Sequence, residues 1–243
     1  KLYFVNYYYK YNINPLFLGK PYFMLKKWLS YFIPINVKTE KSHWSKTLEV
    51  TWANGELVLD SAHTNYSYGS LQRILRIGLQ KIGFDRISKM NHILVLGVAG
   101  GSVIKTLTHE VGYSKKITGV EIDANVIAIA KKYFALDTVQ NFDLVLDDAF
   151  EFVLKTKIKY DLIIIDIFQD TKMPSFLFEA FFVNRILDIL EINGLFLFNT
   201  MCLNEIDNKR NVTYLELFNP KKAKVITIPR VESHNEVILV EKL

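Results

Sequence analysis

Residues 93–101 read Ile-Leu-Val-Leu-Gly-Val-Ala-Gly-Gly, an apolar run that leads directly into a turn of small residues. A second apolar run ends in Val120-Glu121-Ile122-Asp123. Small residues in a turn let backbone N–H groups approach a ligand, and a carboxylate at the end of the next strand can accept both hydroxyls of a ribose. The two segments therefore predict a nucleoside site at the carboxyl edge of a parallel sheet.

The glycine turn also narrows the choice of nucleoside. A dinucleotide fingerprint requires Gly-x-Gly-x-x-Gly, whereas this turn has Ala99 at the second glycine position and Ser102 at the third. NAD and FAD are therefore disfavoured.

Acidic residues end three successive predicted strands. Besides Glu121, Asp148 lies just after the run 142–146, and Asp166 follows the run 160–165. This series suits S-adenosylmethionine, with Glu121 on the ribose, Asp148 near the adenine amino group and Asp166 near the sulfonium. Taken singly, each residue is as compatible with a strand-end cap or a turn.

The second half of the chain alternates strand and helix patterns. Strands are predicted near 93–97, 117–122, 142–146, 161–166 and 194–199, and helices near 102–111, 124–134, 148–155 and 175–191. Such alternation predicts parallel strands joined by helices. The last stretch, around Ser233-His234-Asn235, predicts an antiparallel pair.

The first third of the chain has a different composition. Residues 1–43 are rich in aromatics and lysine and are interrupted by prolines, so we assign them to an arm that covers a dimer partner or, less favourably, touches a membrane surface. Alternation around Asn54-Gly55 predicts a β-hairpin domain over 44–66. The remaining residues, 67–243, form the sheet domain, which begins with a predicted helix over 67–83.

Several segments together resemble the spermidine synthase family. They are Val95 to Gly101, Val120 to Asp123, Asp148 to Phe152, Lys159 to Asp166 and Glu191 to Gly194. The resemblance covers roughly residues 45–200. It implies an α/β fold of the class I S-adenosylmethionine-dependent methyltransferase-like (Rossmann-like) type with a small N-terminal β-rich domain, a frequent dimer, and aminopropyl transfer from decarboxylated S-adenosylmethionine to a polyamine.

The chain departs from the family pattern at three places. Where the family's glycine turn carries an aspartate that holds the donor's aminopropyl end, this chain has Gly100. The family's second polyamine-binding aspartate is displaced in the run Asp166-Ile167-Phe168-Gln169-Asp170, and its Tyr-His-Glu or Tyr-Gln-Glu element reads Tyr68-Gly69-Ser70. Because each charge-assisted hydrogen bond to a polyamine contributes roughly 1.5–3 kcal/mol, their loss weakens the case for a polyamine.

These departures favour methyl transfer over aminopropyl transfer. Two carboxylates about 4 Å apart repel by about 4 kcal/mol at an effective dielectric of 20, so an aspartate in the turn disfavours a donor that keeps its carboxylate. Gly100 removes that obstacle, and ordinary S-adenosylmethionine becomes acceptable alongside the decarboxylated form. The alternatives are a polyamine aminopropyltransferase and a non-catalytic nucleoside-binding scaffold.

The candidate site residues fall into three groups. Asp166 is expected to be catalytic, because a carboxylate there can attract a cationic amine and take its proton. Gln169 and Asp170 are expected to contact the acceptor, and Tyr68 either lines the pocket or packs at the domain junction. The donor is expected to contact Gly97, Ala99, Gly100, Gly101, Glu121, Asp123, Asp148 and Ala149.

Composition limits the remaining classes of function. The only cysteine, Cys202, fits a reducing, cytoplasmic compartment, and no Cys/His cluster has metal-ligand spacing. The net charge of +5 comes from scattered lysines without a nucleic-acid-binding motif, and no segment has the length and hydropathy of a transmembrane helix. The resemblance implies a homodimer with a small-molecule acceptor, such as an amine, and from the composition we expect neither a metal nor a nucleic-acid partner.

Overall fold

Two β-sheets dominate the computed structural model, which describes residues 21–61, 65–169 and 172–243. The smaller sheet is antiparallel and has the order β1-β2-β3-β4. Its strands are β1 (Ile35–Ser42), β2 (Lys46–Ala53), β3 (Glu56–Ser61) and β4 (Asn65–Ser67), and helix α1 (Pro21–Leu29) precedes them.

The hairpin predicted around Asn54-Gly55 joins β2 and β3. Asn54 and Gly55 have φ values of 51° and 76°, and two positive values in a two-residue loop match the right-handed twist of the flanking strands. The small sheet also includes β1, which begins at Ile35 inside the segment assigned to the arm. Residues 1–20 of that arm lie outside the described residues.

The larger sheet has seven strands in the order β10-β11-β9-β8-β5-β6-β7. Strands β5 to β9 run parallel, and β11 and β10 add an antiparallel pair, as the sequence predicts. The strands are β5 (His92–Leu96), β6 (Lys116–Glu121), β7 (Phe142–Leu146), β8 (Tyr160–Ile165), β9 (Leu190–Met201), β10 (Ala223–Val231) and β11 (Asn235–Lys242).

Helices connect these strands and cover both faces of the sheet. They are α2 (Gly69–Ile82), α3 (Phe84–Lys89), α4 (Ser102–Lys105), α5 (Ala124–Phe134), α6 (Ala149–Lys155), α7 (Ala180–Ile189) and α8 (Glu205–Leu215). The helix predicted over 102–111 consists of α4 and a π-helical turn, Thr106–Glu110. The helix predicted over 175–191 consists of a 3₁₀ turn, Ser175–Phe178, followed by α7.

A shared apolar cluster joins the small sheet to α5, a helix that packs beside the large sheet. Trp52 and Leu59 of the small sheet are fully buried against Val126 and Phe134 of α5. Since burying one large apolar side chain contributes about 1.5–3 kcal/mol, this cluster holds the small sheet firmly beside the carboxyl edge of the large one. Within the three described ranges, no helix is long and apolar enough to cross a membrane.

Candidate active site

A cavity of about 290 Å³ opens at the carboxyl edge of the large sheet, close to the lower end of the range that holds small ligands. It lies where β5 is flanked by β8 on one side and β6 on the other, which is the point where ligands bind in open parallel sheets. Its lining comes from the glycine turn, from the three acidic strand ends, from the loop after β8 and from the β1–β2 turn of the small sheet.

Glu121 fixes the glycine turn. Its Oε2 accepts hydrogen bonds from the backbone N–H groups of Val98 (3.1 Å) and Ala99 (3.0 Å), and its Oε1 accepts from Ile122 (2.9 Å) and Asp123 (3.1 Å). Burial raises the pKa of Glu121, and the backbone hydrogen bonds oppose that rise. The carboxylate that was predicted to bind ribose therefore also holds the ligand-facing turn in shape.

Position 97 requires glycine because the backbone at the end of β8 approaches it closely. Gly97 has φ of 86°, and a Cβ there would overlap the carbonyl oxygen of Asp166. The contact brings the end of β5 directly against the end of β8. It therefore places the glycine turn beside the predicted catalytic carboxylate.

Asp166 faces the cavity and is held by a neighbouring strand. The Nδ2 of Asn199 donates to its Oδ1 at 2.8 Å. The pKa of Asp166 is raised to about 7, chiefly by burial and also by the charge of Glu121, while the hydrogen bond from Asn199 opposes the rise. A base whose pKa lies near neutrality is well suited to proton transfer at physiological pH.

The remaining predicted carboxylates, Asp123 and Asp148, are helix N-caps as well as cavity residues. Asp123 caps α5 through a 2.8 Å bond from the N–H of Asn125, and its Oδ2 accepts from the hydroxyl of Ser42. Asp148 caps α6 by accepting from the N–H of Phe150 at 2.7 Å. Both residues also line the cavity, so their capping role does not exclude the predicted contact with a ligand.

The structure brings most of the predicted site residues together. Those that line the cavity are Gly97, Ala99, Glu121, Asp123, Asp148, Ala149, Asp166 and Gln169. Asp170 lies outside the described residues. The role of each residue in binding or catalysis stays a prediction.

Tyr68, Gly100 and Gly101 lie behind the cavity wall. Tyr68 is only 2% exposed, its ring stacks on Phe134 with centroids 4.7 Å apart, and its hydroxyl donates to the carbonyl of Gly100 at 3.1 Å. Tyr68 thus packs at the domain junction, which is one of the two roles that the sequence left open. Gly101 lies against the side chain of Leu136 and does not line the cavity.

Sequence reasoning missed Trp44 and Asn199. Trp44 lies in the β1–β2 turn and lines the cavity, and its backbone carbonyl accepts a hydrogen bond from the Nε2 of Gln169. The small sheet thus contributes directly to the site. Asn199 had a visible signal, since it is a polar residue in an apolar strand next to the predicted end of β8.

A family model places the chain among known proteins. The model of the spermine/spermidine synthase domain matches residues 78–233. A polyamine aminopropyltransferase from Vibrio vulnificus (strain CMCP6) is 30% identical over 154 residues, which are 62% of this chain and 50% of that protein. An eEF1A lysine and N-terminal methyltransferase homolog from Drosophila melanogaster is 32% identical over 124 residues, which are 46% of this chain and 18% of that protein.

The chain thus spans about half the length of the aminopropyltransferase and a smaller part of the methyltransferase homolog. The crystal structure of human methyltransferase-like protein 13 in complex with SAH superposes with a TM-score of 0.60 at 20% identity. That match covers 72% of this chain and 83% of the other, and it confirms the class I methyltransferase-like fold. Because the family model includes the glycine turn, the acidic strand ends and more than half of the sequence, the chain belongs to the spermine/spermidine synthase domain family.

Proposed function

We propose that this chain is an S-adenosylmethionine-dependent methyltransferase that acts on an amine, with Asp166 as the general base. The charge of the cavity carries the proposal. In the part of the chain that the structure describes, the charged residues lining the cavity are all carboxylates: Glu121, Asp123, Asp147, Asp148 and Asp166. A sulfonium nucleoside and an alkylammonium ion are both cations, so this lining suits both partners of the reaction.

Asp166 performs the proton transfer. When bound, S-adenosylmethionine supplies a methyl carbon on a sulfonium, which an amine lone pair attacks in line while the C–S electron pair returns to sulfur. An alkylamine has a pKa of about 10.4 in water and is protonated at neutral pH, so it must lose a proton before it can attack. The ionised carboxylate of Asp166 attracts the ammonium group and takes that proton.

The surroundings of Gly100 support methyl transfer over aminopropyl transfer. A Cβ at position 100 would lie 2.8 Å from the Cβ of Ser67 and 3.2 Å from Cε2 of Tyr68. The junction between β4 and α2 thus occupies the space where an aspartate would have to extend. Without that carboxylate, the turn does not repel the carboxylate of ordinary S-adenosylmethionine.

Aminopropyl transfer to a polyamine is the second candidate. The family and the Vibrio vulnificus relative support it, because that relative is named a polyamine aminopropyltransferase. The same Asp166 chemistry would apply to that reaction.

Transfer of a labelled methyl group to a panel of amines tests the proposal. The enzyme is incubated with S-adenosylmethionine labelled on the methyl carbon, and the amine products are separated and counted. We expect label in at least one amine with the wild-type protein and a loss of about 10²–10⁴-fold with Asp166→Asn. Aminopropylated products from the decarboxylated donor, without methylated ones, would favour the second candidate, and the absence of both products would favour a non-catalytic scaffold.

The predicted homodimer also stays a proposal. Trp28, in the last turn of α1, and Phe32 and Ile33, just after that helix, are 62%, 73% and 63% exposed. Such a group of exposed apolar side chains suits contact with a second copy of the chain. We also propose a cytoplasmic location, which rests on the family and on the single cysteine.

A further inference from the structure

Asn199 lies beside Asp166 because of the register between two parallel strands. Ile165, the last residue of β8, pairs with Phe198 of β9. The residues that follow, Asp166 and Asn199, therefore lie side by side. Asn199 is 1% exposed and belongs to a strand that is otherwise largely apolar up to that point. A buried amide in such a place costs free energy unless its polar atoms are paired, which makes its partners informative.

A hydrogen bond from a third strand sets the orientation of the Asn199 amide. An asparagine can present either its NH₂ group or its oxygen to a neighbour. Here the Nδ2 of Asn235, on β11, donates to Oδ1 of Asn199 at 2.9 Å. With its oxygen engaged in this way, Asn199 directs its NH₂ group toward Asp166.

We propose that Asn199 is a positioning residue for Asp166. Held by Asn235, it donates to one carboxylate oxygen and fixes the orientation in which Asp166 meets the acceptor amine. The role of Asn199 in turnover rests on the proposed function, but its effect on the orientation and pKa of Asp166 does not.

The charges around Asp166 explain why such a donor matters. Glu121, at the end of β6, faces it with a like charge, and Asp123, Asp147 and Asp148 line the same cavity. Burial and Glu121 raise the pKa of Asp166, and the Asn199 N–H is the opposing interaction. Without that donor a larger fraction of Asp166 would be protonated at neutral pH, and only the remaining ionised fraction could accept a proton.

Carboxyl NMR titration of the unliganded protein tests the positioning role directly. The variants are Asn199→Leu, Asn235→Ala and, as a matched control, Thr200→Val. Thr200 is as buried as Asn199, is the next residue on β9, and bonds to Glu236 and Asn211 instead of Asp166. Loss of one hydrogen bond to a charged group should raise the pKa of Asp166 by about 1 to 2 pH units in Asn199→Leu.

Asn235→Ala should raise the pKa of Asp166 by a smaller amount, because Asn199 remains but its amide is free to turn. Thr200→Val should leave it at the wild-type value. If Asn199→Leu does not fold, the titration of Asp166 in Asn235→Ala tests the proposal by itself. An unchanged titration of Asp166 in the folded Asn199→Leu or Asn235→Ala protein would overturn the proposal.

The pH dependence of kcat then tests the catalytic consequence. We expect the rising limb of kcat in Asn199→Leu to move to higher pH by the same amount, with an approximately tenfold loss at pH 7 that recovers at alkaline pH. The KM for the donor should change little. Since the NMR measurement needs neither donor nor acceptor, failure of the methyl-transfer proposal would leave the titration result intact and distinguishable.

Discussion

Asp166→Asn should stabilise the unliganded protein at alkaline pH while slowing transfer by about 10²–10⁴-fold. Burial among carboxylates raises the pKa of Asp166 from 3.8 to about 7. When the folded pKa of an acid is raised, its ionisation favours the unfolded chain. The resulting cost is absent below about pH 4, grows as the pH rises toward 7 and is constant above it.

The size of the effect follows from the two pKa values. The interval between 3.8 and about 7 corresponds to about 4 kcal/mol at roughly 1.4 kcal/mol for each pH unit. At pH 5 the same cost is only about 1.5 kcal/mol. An asparagine accepts a weaker hydrogen bond from Asn199 than a carboxylate does, so we expect a net gain of about 2–4 kcal/mol at pH 8.

Urea unfolding at pH 5 and pH 8 measures this gain. Asp143→Asn is the control, because Asp143 is an exposed carboxylate on β7 that pairs with Lys116, and its loss should change stability little at either pH. We expect the gain of Asp166→Asn to fall by about 2.5 kcal/mol between pH 8 and pH 5. A destabilised Asp166→Asn protein at pH 8, or a gain independent of pH, would refute the reasoning.

Three further substitutions test the parts that shape the cavity. Ser42→Ala removes the hydroxyl that donates to Asp123 and should lower the free energy of unfolding, measured in urea, by about 1.5–3 kcal/mol. An unchanged free energy would mean that this bond does not stabilise the contact between the small sheet and α5. Gly100→Ala forces a methyl group against Ser67 and should cost about 1–3 kcal/mol in the same assay, and an unchanged midpoint would show that the β4–α2 junction yields easily. Glu121→Gln leaves one oxygen where two accept four backbone N–H groups, so both thermal stability and donor affinity should fall; retention of both would show that Glu121 does not organise the turn.

Local patterns predicted much of the large sheet. The expected bounds of β7, 142–146, and of α5, 124–134, agree with the structure because turn residues and a capping aspartate delimit them. Strand β9 begins at residue 190 instead of near 194, since Leu190 pairs with Tyr160 across an irregularity in the register. That irregularity depends on the neighbouring strand and is not visible in the sequence of β9.

Sequence patterns predicted the cavity lining where it depends on strand ends and missed it where it depends on distant contacts. Glu121 and Asp166 follow apolar runs, and the carboxyl ends of parallel strands necessarily meet at one edge. Trp44 reaches the cavity, and Ser42 reaches Asp123, only because the small sheet packs on α5, which no local pattern indicates. Strand β1 was assigned to the arm because its sequence, Ile-Asn-Val-Lys-Thr-Glu-Lys-Ser, is too polar to stand out as a strand.

Calorimetric titration of the unliganded protein with three nucleosides tests the central claim most directly. The ligands are S-adenosylmethionine, its decarboxylated form and methylthioadenosine. We predict saturable binding of all three, with S-adenosylmethionine bound more tightly than the decarboxylated donor. An absence of heat with every ligand would contradict a nucleoside site at the carboxyl edge, and a clear preference for the decarboxylated donor would contradict methyl transfer.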